Sequence, residues 1–195
     1  SPTTECPLAG RLALVTGAAA GIGRSISERF LAAGAHVLAA DIDVAGLAAL
    51  HEAHGAAVTP MQCDVTSPAS LALVGEEASR RGGLHIAVAN AGRATFSSIV
   101  DHPVDEWRAI IDLCLTGVFL TVQQAARVMV DGGSIITISS LNGTQPSAGM
   151  AAYCAAKAGV IMLTQVAAME LGARGIRANS IAPGLVETNA TGAFW

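Results

Sequence analysis

A tyrosine and a lysine four positions apart are the residues of this chain whose types and spacing most directly suggest chemistry. Tyr153 and Lys157 lie in an alanine-rich stretch with a helical pattern, and residues i and i+4 project from the same face of a helix. An ammonium beside a phenol favours the phenolate and lowers the pKa of the tyrosine. Such a tyrosine, with an ordinary pKa of about 10, could act as an acid or a base near neutral pH. The same spacing is common on amphipathic helices without function, so the pair needs support from elsewhere in the chain.

Two adjacent serines precede this helix. Ser139 and Ser140 follow the apolar, β-branched segment 134–138, which is typical of a short buried strand. They are therefore expected at the end of that strand. A serine hydroxyl that converges on Tyr153 could hold a carbonyl oxygen by a hydrogen bond. The pattern predicts a proton-transfer site between a strand end and a helix face.

A glycine-rich loop lies near the start of the chain, between a strand predicted at 11–15 and a helix that ends at Gly34. Glycines allow a tight turn and a close approach to a pyrophosphate, while the helix N-terminus offers free N–H groups to the phosphates. Strand, glycine loop and helix in this order predict a dinucleotide site. An ordinary glycine-rich turn is the alternative, because the spacing Gly-x-x-x-Gly-x-Gly implies a longer loop than Gly-x-Gly-x-x-Gly. The candidate residues of this loop are Thr16, Gly17, Gly21, Ile22 and Gly23.

An acidic residue ends the second predicted strand, 36–40. Asp41 lies roughly 20 residues beyond the glycines, where an acid can accept hydrogen bonds from the ribose hydroxyls of adenosine and repel a 2′-phosphate. No Arg or Lys lies between Arg29 and Arg80 to offset this charge. The sequence therefore predicts NAD rather than NADP. Capping of the following helix is the alternative role for Asp41, although Asp43 is better placed for it.

The rest of the chain alternates predicted strands with predicted helices. This alternation predicts a parallel, doubly wound α/β sheet. Right-handed crossovers bring the carboxyl ends of the strands to one edge, where ligands bind, and the motifs above all fall at that edge. Further strands are predicted at 57–61, 86–89, 134–139 and 177–182, further helices at 44–50, 67–81 and 151–172, and a long, interrupted helix within 103–130.

Together the motifs resemble those of the short-chain dehydrogenase/reductase family in its single-domain form, from about Leu8 to Thr188. The resemblance implies one NAD-binding Rossmann-like domain over 1–195 that is incomplete at the C-terminus, because members normally continue through a substrate-covering loop to a seventh strand. The motifs that carry it are Thr16-Gly17-x-x-x-Gly21-Ile22-Gly23, Asp64-Val65, Asn90-Ala91-Gly92, Ser140, Tyr153-x-x-x-Lys157 and Pro183-Gly184 with Thr188.

The resemblance also implies roles for these residues. Tyr153 would give a proton to a carbonyl or take one from an alcohol, Lys157 would bind the nicotinamide ribose and lower the pKa of the tyrosine, and Ser140 would orient the substrate. The implied reaction is reversible hydride transfer between NAD(H) and a secondary alcohol or ketone. Further cofactor contacts would come from Asp64 and Val65 at the adenine, Asn90, Ala91 and Gly92 at the middle of the cofactor, and Pro183, Gly184 and Thr188 at the nicotinamide.

One position departs from the family pattern. Cys114 occupies the place of the usual active-site asparagine, which is thought to help hold a water that links the lysine to solvent. A thiol is a weak donor and a weak acceptor and cannot reproduce the hydrogen bonds of an amide. Three interpretations stay open: a relay through backbone groups and water, a slower or specialised enzyme, or a site that is not catalytic.

Composition narrows the classes of protein to consider. A net charge of −4 in 195 residues gives no support for nucleic-acid binding. No uninterrupted apolar run is long enough for a membrane span, and the first ten residues lack the pattern of a signal peptide. Four scattered cysteines without metal-ligand spacing predict reduced thiols, no metal and a cytoplasmic protein. A homodimer or homotetramer is expected from the family resemblance alone.

Three hypotheses for function follow. The first is an NAD-dependent oxidoreductase acting on a small or medium hydroxyl or ketone substrate. The second is a 3-oxoacyl-thioester (acyl carrier protein) reductase, a subgroup that usually uses NADPH, and Asp41 argues against it. The third belongs to a different class, an NAD-binding sensor or structural subunit that has lost turnover. Cys114 favours the third hypothesis, whereas Ser140, Tyr153 and Lys157 oppose it.

Overall fold

The structure, a computed structural model, describes residues 6–187. Within that range six parallel strands form one sheet with the order β3-β2-β1-β4-β5-β6. The strand order reverses between β1 and β4, and such a switch point is where open α/β sheets bind ligands. The strands are β1 Leu12–Thr16, β2 His36–Asp41, β3 Val58–Gln62, β4 Leu84–Ala89, β5 Met129–Ile138 and β6 Arg177–Ile181.

Helices cover both faces of this sheet. The α-helices of the described range are α1 Gly21–Ala32, α2 Val44–His54, α3 Pro68–Arg80, α4 Val104–Ile111, α5 Gly117–Val128 and α6 Ala151–Leu171. Successive side chains of a strand point to opposite faces. Leu14 therefore packs in the core beneath α3, α5 and α6, whereas Val15 packs in the core beneath α1 and α2. The predicted doubly wound α/β fold is confirmed.

The fifth strand begins earlier than the sequence pattern predicted. Met129 already pairs with Leu84, and the register then shifts before Ser134 pairs with Ile86. The polar and glycine-rich run 131–133 hid this start, because it has the composition of a turn. Arg174 secures the segment from outside the strand, donating one hydrogen bond to the carbonyl of Met129 and another to the Asp131 carboxylate.

The interruption predicted in the long helix is a π-helical turn. Residues Asp112–Thr116 form this turn between α4 and α5, and Cys114 within it is fully buried. Directly after the turn, a Cβ at Gly117 would lie 2.8 Å from Cγ2 of Val65. The missing side chain at Gly117 thus lets α5 pack close to the loop that follows β3. Single π-helical turns occur frequently at functional sites.

Two helical stretches of the described range have the length and hydropathy of a membrane span. They are Val104–Val128, with a mean hydropathy of 1.5, and Ala151–Arg174, with 1.3. Neither contains an uninterrupted apolar run long enough to span a membrane, which is why the sequence pattern did not predict them. Val118 and Val160 of these stretches lie in the core beneath the sheet. Because the core helices of globular proteins pass the same test, the finding gives only weak support for a membrane location.

Candidate active site

Tyr153 and Lys157 lie on successive turns of α6, as the helical spacing predicted. Lys157 is 3% exposed, and its Nζ donates a 2.7 Å hydrogen bond to the carbonyl of Ile138 at the end of β5. The same Nζ lies 5.6 Å from the centroid of the Tyr153 ring. Lys157 thus connects the carboxyl end of β5 to the face of α6 that carries Tyr153.

The pKa of Tyr153 shifts in the direction opposite to that expected from the sequence. Burial raises the pKa of the phenol above its ordinary value, and a hydrogen bond from Ser140 acts in the other direction. Burial also lowers the pKa of Lys157. The predicted lowering of the pKa of Tyr153 is therefore not found. Desolvation of the phenol raises this pKa by more than the hydrogen bond from Ser140 lowers it.

The two serines at the end of β5 have different surroundings. Ser139 is 2% exposed; its Oγ donates to the carbonyl of Lys157 at 2.7 Å, and its N–H donates to the carbonyl of Ile181 at 2.7 Å. These bonds tie β5 to α6 and β6. The hydroxyl of Ser140 instead donates to Oδ1 of Asn142 at 3.4 Å and lies near the phenol of Tyr153. Of the two serines, Ser140 is the one whose hydroxyl lies near the phenol.

The glycine loop after β1 is held by residues that come much later in the chain. The Thr16 hydroxyl accepts hydrogen bonds from the N–H groups of Asn90 and Ala91, at 3.0 and 3.3 Å. The Asn90 side chain donates to the carbonyls of Thr16 and Gly17, at 2.9 and 3.2 Å. The polar atoms of Thr16 and Asn90 therefore brace the loop against the end of β4, so that these residues shape the predicted cofactor site from below.

Two positions in this loop tolerate only glycine. Gly17 has φ +67°, and a Cβ there would lie 2.8 Å from Nδ2 of Asn90. A Cβ at Gly23 would lie 2.0 Å from the carbonyl oxygen of Gly17. No side chain caps the N-terminus of α1, where Ala20 is the N-cap residue. The first N–H groups of α1 thus have no side-chain cap beside a closely packed glycine turn, and this arrangement fits the pyrophosphate of a dinucleotide.

Asp41 contacts the glycine loop directly. Its carboxylate accepts hydrogen bonds from the N–H of Ala19 at 2.9 Å and from the N–H of Asp43 at 3.0 Å. The carboxylate of Asp43 caps α2 through the N–H groups of Ala45 and Gly46, as the sequence predicted. A carboxylate has about four lone-pair sites, so Asp41 keeps acceptor capacity for ribose hydroxyls.

The other predicted contact residues within 6–187 lie along the same edge. The Asp64 carboxylate accepts from Thr66 in a tight turn, and Val65 is buried under α5. The carbonyl of Pro183 accepts from the N–H of Leu141 at 2.9 Å, which places the segment with Gly184 beside the loop after Ser140. Thr188 lies outside the described residues.

Comparison with known proteins identifies the family. Residues 11–195 match the family described as short chain dehydrogenase. The chain belongs to this family. It is 43% identical over 188 residues to a 3-alpha-(or 20-beta)-hydroxysteroid dehydrogenase of Mycobacterium tuberculosis, covering 94% of this chain and 72% of the relative. It is 39% identical over 188 residues to the 3-oxoacyl-[acyl-carrier-protein] reductase of Escherichia coli, covering 95% and 77%.

A solved structure agrees with this assignment. A short-chain type dehydrogenase/reductase from Mycobacterium marinum superimposes with a TM-score of 0.90 at 37% identity, covering 96% of this chain and 77% of that protein. Short-chain dehydrogenases are oxidoreductases that act on CH–OH groups and generally bind NAD or NADP. The family resemblance and the oxidoreductase class predicted from the sequence are therefore confirmed.

Cys114, the residue at which the sequence predicts a departure from the family pattern, lies close to Gly92 in the loop after β4. Its Sγ donates to the carbonyl of Arg93 at 3.3 Å. A Cβ at Gly92 would lie 3.3 Å from this sulfur and 3.6 Å from Nζ of Lys157. The thiol is fully buried and packs among apolar residues that include Ala156. Its one hydrogen bond goes to a backbone carbonyl, so the thiol holds the loop after β4 against the π-helical turn.

Replacing Cys114 with asparagine is expected to change kcat/KM less than threefold and to lower the free energy of unfolding by about 1–3 kcal/mol. The amide could donate to Arg93, but its other polar groups would be buried without partners. Steady-state kinetics and urea unfolding measure the two effects, with Cys114→Ser as the control that keeps a donor for Arg93. A rate gain of thirtyfold or more in the asparagine variant would mean that the natural site is impaired.

Cys6, Cys63, Cys114 and Cys154 all have free thiols in the structure. Burial raises the pKa of Cys63 to about 11, so its thiol is a poor nucleophile at neutral pH. Among residues 6–187, no group of three or more His, Cys, Asp or Glu side chains is placed to hold a metal ion.

Sequence reasoning missed one polar residue of the site, Asn142. It lies in a short 3₁₀ turn, Leu141–Gly143, which Ser140 caps. The backbone N–H of Asn142 donates to Oγ of Ser140 at 3.1 Å, and the side chain bonds both Ser140 and Ser147. The Asn142-Gly143 pair, which Leu141 separates from Ser140, was a turn signal in the sequence, but it did not indicate a contact with Ser140.

Proposed function

We propose that the protein interconverts a secondary alcohol and a ketone with NAD(H), using Tyr153 as general acid and base. The observation that carries this proposal is that Tyr153, Ser140 and Lys157 lie close together at the carboxyl end of β5. A backbone cradle suited to a dinucleotide lies at the same edge. Proton transfer, oxygen binding and a cofactor site within reach of one another are what carbonyl reduction requires.

Each residue has a distinct part in this reaction. The bound nicotinamide supplies or accepts the hydride. Tyr153 gives its proton to the carbonyl oxygen during reduction and takes it back during oxidation, while the hydroxyl of Ser140 holds that oxygen. Lys157 uses one of its three donors on Ile138, which leaves two donors for the nicotinamide ribose and for solvent.

We assign the cofactor's other contacts as the sequence predicted. The glycine loop and the N-terminus of α1 hold the pyrophosphate, and Asp41 holds the adenosine ribose. Asp64 and Val65 border the adenine through their turn, while Asn90, Ala91 and Gly92 border the middle of the cofactor. Pro183, Gly184 and Thr188 complete the nicotinamide side.

NAD is the proposed cofactor because Asp41 would face the 2′-phosphate of NADP with a like charge. We expect the wild type to have a higher kcat/KM with NAD than with NADP, and Asp41→Asn to shift the ratio toward NADP by roughly tenfold. Asparagine keeps one acceptor for the N–H of Ala19, so the glycine loop stays supported. Equal use of both cofactors by the wild type would contradict the assignment.

The substrate proposal is tested by NADH formation from NAD with a panel of secondary alcohols. Hydroxysteroids come first, because a 43% identical relative is named a hydroxysteroid dehydrogenase; cyclic alcohols, sugars and hydroxyacyl thioesters follow. Turnover that requires Tyr153 would support the proposal. Tight NADH binding without turnover in either direction would support the sensor hypothesis instead.

A 3-oxoacyl-thioester reductase is the second candidate. It is favoured by the 39% identity to the Escherichia coli 3-oxoacyl-[acyl-carrier-protein] reductase. Reduction of a 3-oxoacyl thioester distinguishes the two candidates. Faster reduction of the thioester than of any ketone in the panel would favour the second candidate, and a preference for NADPH would strengthen that result.

We also propose that the protein is a cytoplasmic homodimer or homotetramer. Apolar side chains of α5 and α6 are exposed on the isolated chain, including Phe119 at 43%, Met162 at 60% and Met169 at 84%. Exposed apolar patches of this kind mark association surfaces. Sedimentation of the protein as a monomer at micromolar concentration would contradict this part of the proposal.

A further inference from the structure

The hydroxyl of Ser140 has one proton and two acceptors for it. Its oxygen accepts from the N–H of Asn142 at 3.1 Å, which fixes one side of the hydroxyl. Its proton can then point toward Oδ1 of Asn142, at 3.4 Å, or toward the phenol oxygen of Tyr153. A hydroxyl hydrogen rotates between such partners, so a bond to one acceptor is made at the expense of the other.

Asn142 is itself held in place. Its Nδ2 donates to Oγ of Ser147 at 2.5 Å, and this bond links the two halves of the loop between β5 and α6. The turn that carries Asn142 also packs tightly against α6, since a Cβ at Gly143 would lie 2.8 Å from the carbonyl oxygen of Lys157. With Nδ2 directed at Ser147, the carboxamide oxygen is the atom of Asn142 that faces Ser140.

We propose that Asn142 is a positioning residue whose carboxamide oxygen competes with Tyr153 and the substrate for the hydroxyl proton of Ser140. In the resting site the hydroxyl of Ser140 donates to Oδ1 of Asn142 at 3.4 Å, and the phenol oxygen is the second acceptor near it. When a carbonyl oxygen arrives beside Tyr153, the proton turns toward it. Asn142 thereby sets how readily the hydroxyl of Ser140 donates a hydrogen bond to the substrate oxygen. This role in catalysis rests on the function proposed above.

The competition has a direct spectroscopic readout, because Tyr153 is the only tyrosine of the chain. Tyrosinate absorbance in the near ultraviolet therefore reports the ionisation of this one phenol, without cofactor or substrate. The ionisable groups that surround the phenol are Cys114 from the π-helical turn and Cys154 and Lys157 from α6. None of them is altered in the variants below.

Two substitutions at position 142 are expected to move the titration in opposite directions. Asn142→Ala removes the competing acceptor, so Ser140 donates more fully to the phenolate and tyrosinate forms at a lower pH. Asn142→Asp provides a charged acceptor that withholds the proton and repels the phenolate, so tyrosinate forms at a higher pH. Each shift should reach about half a pH unit, as one hydrogen bond of ordinary strength implies.

A double-mutant cycle with Ser140 separates this effect from a change in the loop. In the Ser140→Ala background no proton is left to redirect, so Asn142→Ala should then leave the titration unchanged. Circular dichroism at each pH confirms that the variants stay folded. Shifts in the same direction for both Asn142 variants, or an equal effect of Asn142→Ala in the presence and absence of Ser140, would overturn the proposal.

Kinetics test the consequence for catalysis. Asn142→Asp should lower kcat about tenfold at neutral pH and recover part of the loss as the new carboxylate is protonated, whereas Asn142→Ala should show no added ionisation in its pH profile. A tenfold loss without pH dependence in both variants would point to a purely structural role. Opposite titration shifts in a protein without turnover would keep the inference about Asn142 and refute the proposed function instead.

Discussion

Replacing Tyr153 with phenylalanine is expected to lower kcat about a thousandfold while leaving NADH binding nearly unchanged. General acid–base catalysis by one side chain typically contributes 10²–10⁴, and among the described residues no other proton donor occupies the position of this phenol. The ring packs beside Ile110, Ala152 and Ala156. Phenylalanine keeps those contacts, so the variant should fold and the loss should lie in the chemical step.

The measurement pairs steady-state NADH formation with NADH binding followed by fluorescence. Cys154→Ser serves as a matched control, because Cys154 is the next residue on α6 and has no proposed part in the reaction; it should keep most of the wild-type rate. Residual activity above a tenth of the wild type in Tyr153→Phe would remove the tyrosine from its proposed role.

The raised pKa of Tyr153 also sets the pH dependence of the two directions. At neutral pH the phenol is protonated, which suits ketone reduction. Alcohol oxidation needs the phenolate, so its kcat/KM should increase with pH above neutrality while the reduction rate falls only as the phenol ionises. The rates of oxidation with NAD and of reduction with NADH are measured on the same protein over the same pH range. The two forms of the cofactor differ in charge, so each pH profile is interpreted with its own cofactor bound. A rate of oxidation that falls between neutral and mildly alkaline pH would contradict a tyrosine base.

Replacing Lys157 with methionine is expected to lower kcat/KM about a hundredfold but to change the free energy of unfolding by only about 1 kcal/mol. The activity is lost because the proposed ribose contact and the charge near the phenol disappear. Stability changes little because two effects oppose each other. The variant loses the hydrogen bond to Ile138, but it no longer buries an ammonium.

The same variant should alter the pH dependence of stability in a defined direction. Burial lowers the pKa of Lys157 in the folded protein below the value of 10.5 that it has when unfolded. Between those two pKa values the unfolded chain binds more protons, so the stability contributed by this lysine increases with pH. The raised pKa of Tyr153 has the opposite effect, since the folded protein retains a proton above pH 10 that the unfolded chain releases.

Urea unfolding at several alkaline pH values tests this expectation. Because the charge of Lys157 lies near the phenol, the proteins with and without Lys157→Met are compared in the Tyr153→Phe background, where no tyrosine titrates, and the difference between the two unfolding free energies then isolates the lysine. That difference should move in favour of the protein with Lys157 as pH increases toward 10.5. A loss of several kcal/mol in the variant at neutral pH would instead make Lys157 a structural residue and would leave its proposed role in the reaction without support.

The sequence by itself determined the architecture and the edge on which the site lies. Strands and helices follow from the local spacing of apolar residues, and their alternation is enough to predict a parallel sheet. Tyr153 and Lys157 share a helix face because the helical period is a local property. Glycines at positions 17 and 23 could likewise be recognised, since the backbone of a tight cradle excludes a Cβ.

The tertiary structure decided which side chains lie at the site and how burial shifts the pKa values of Tyr153 and Lys157. The hydrogen bonds between Thr16 and Asn90 join residues 74 positions apart. Ser139 is buried and Ser140 is left near the phenol because Ser139 bonds to α6 and β6. The start of β5 at Met129 depended on pairing with β4. None of these contacts has a local signal, because hydrogen bonds between distant segments are settled only when the sheet assembles.

The pKa of Tyr153 shows most clearly what the sequence predicts and what the tertiary structure decides. The spacing of Tyr153 and Lys157 predicted a lowered tyrosine pKa, whereas the fold buries the phenol and turns the ammonium toward Ile138. Local spacing places two groups on the same face of a helix, but it does not set how much water the surrounding chain removes from them. Desolvation depends on every element that packs over the site, so only the assembled structure determines the charges at which this site operates.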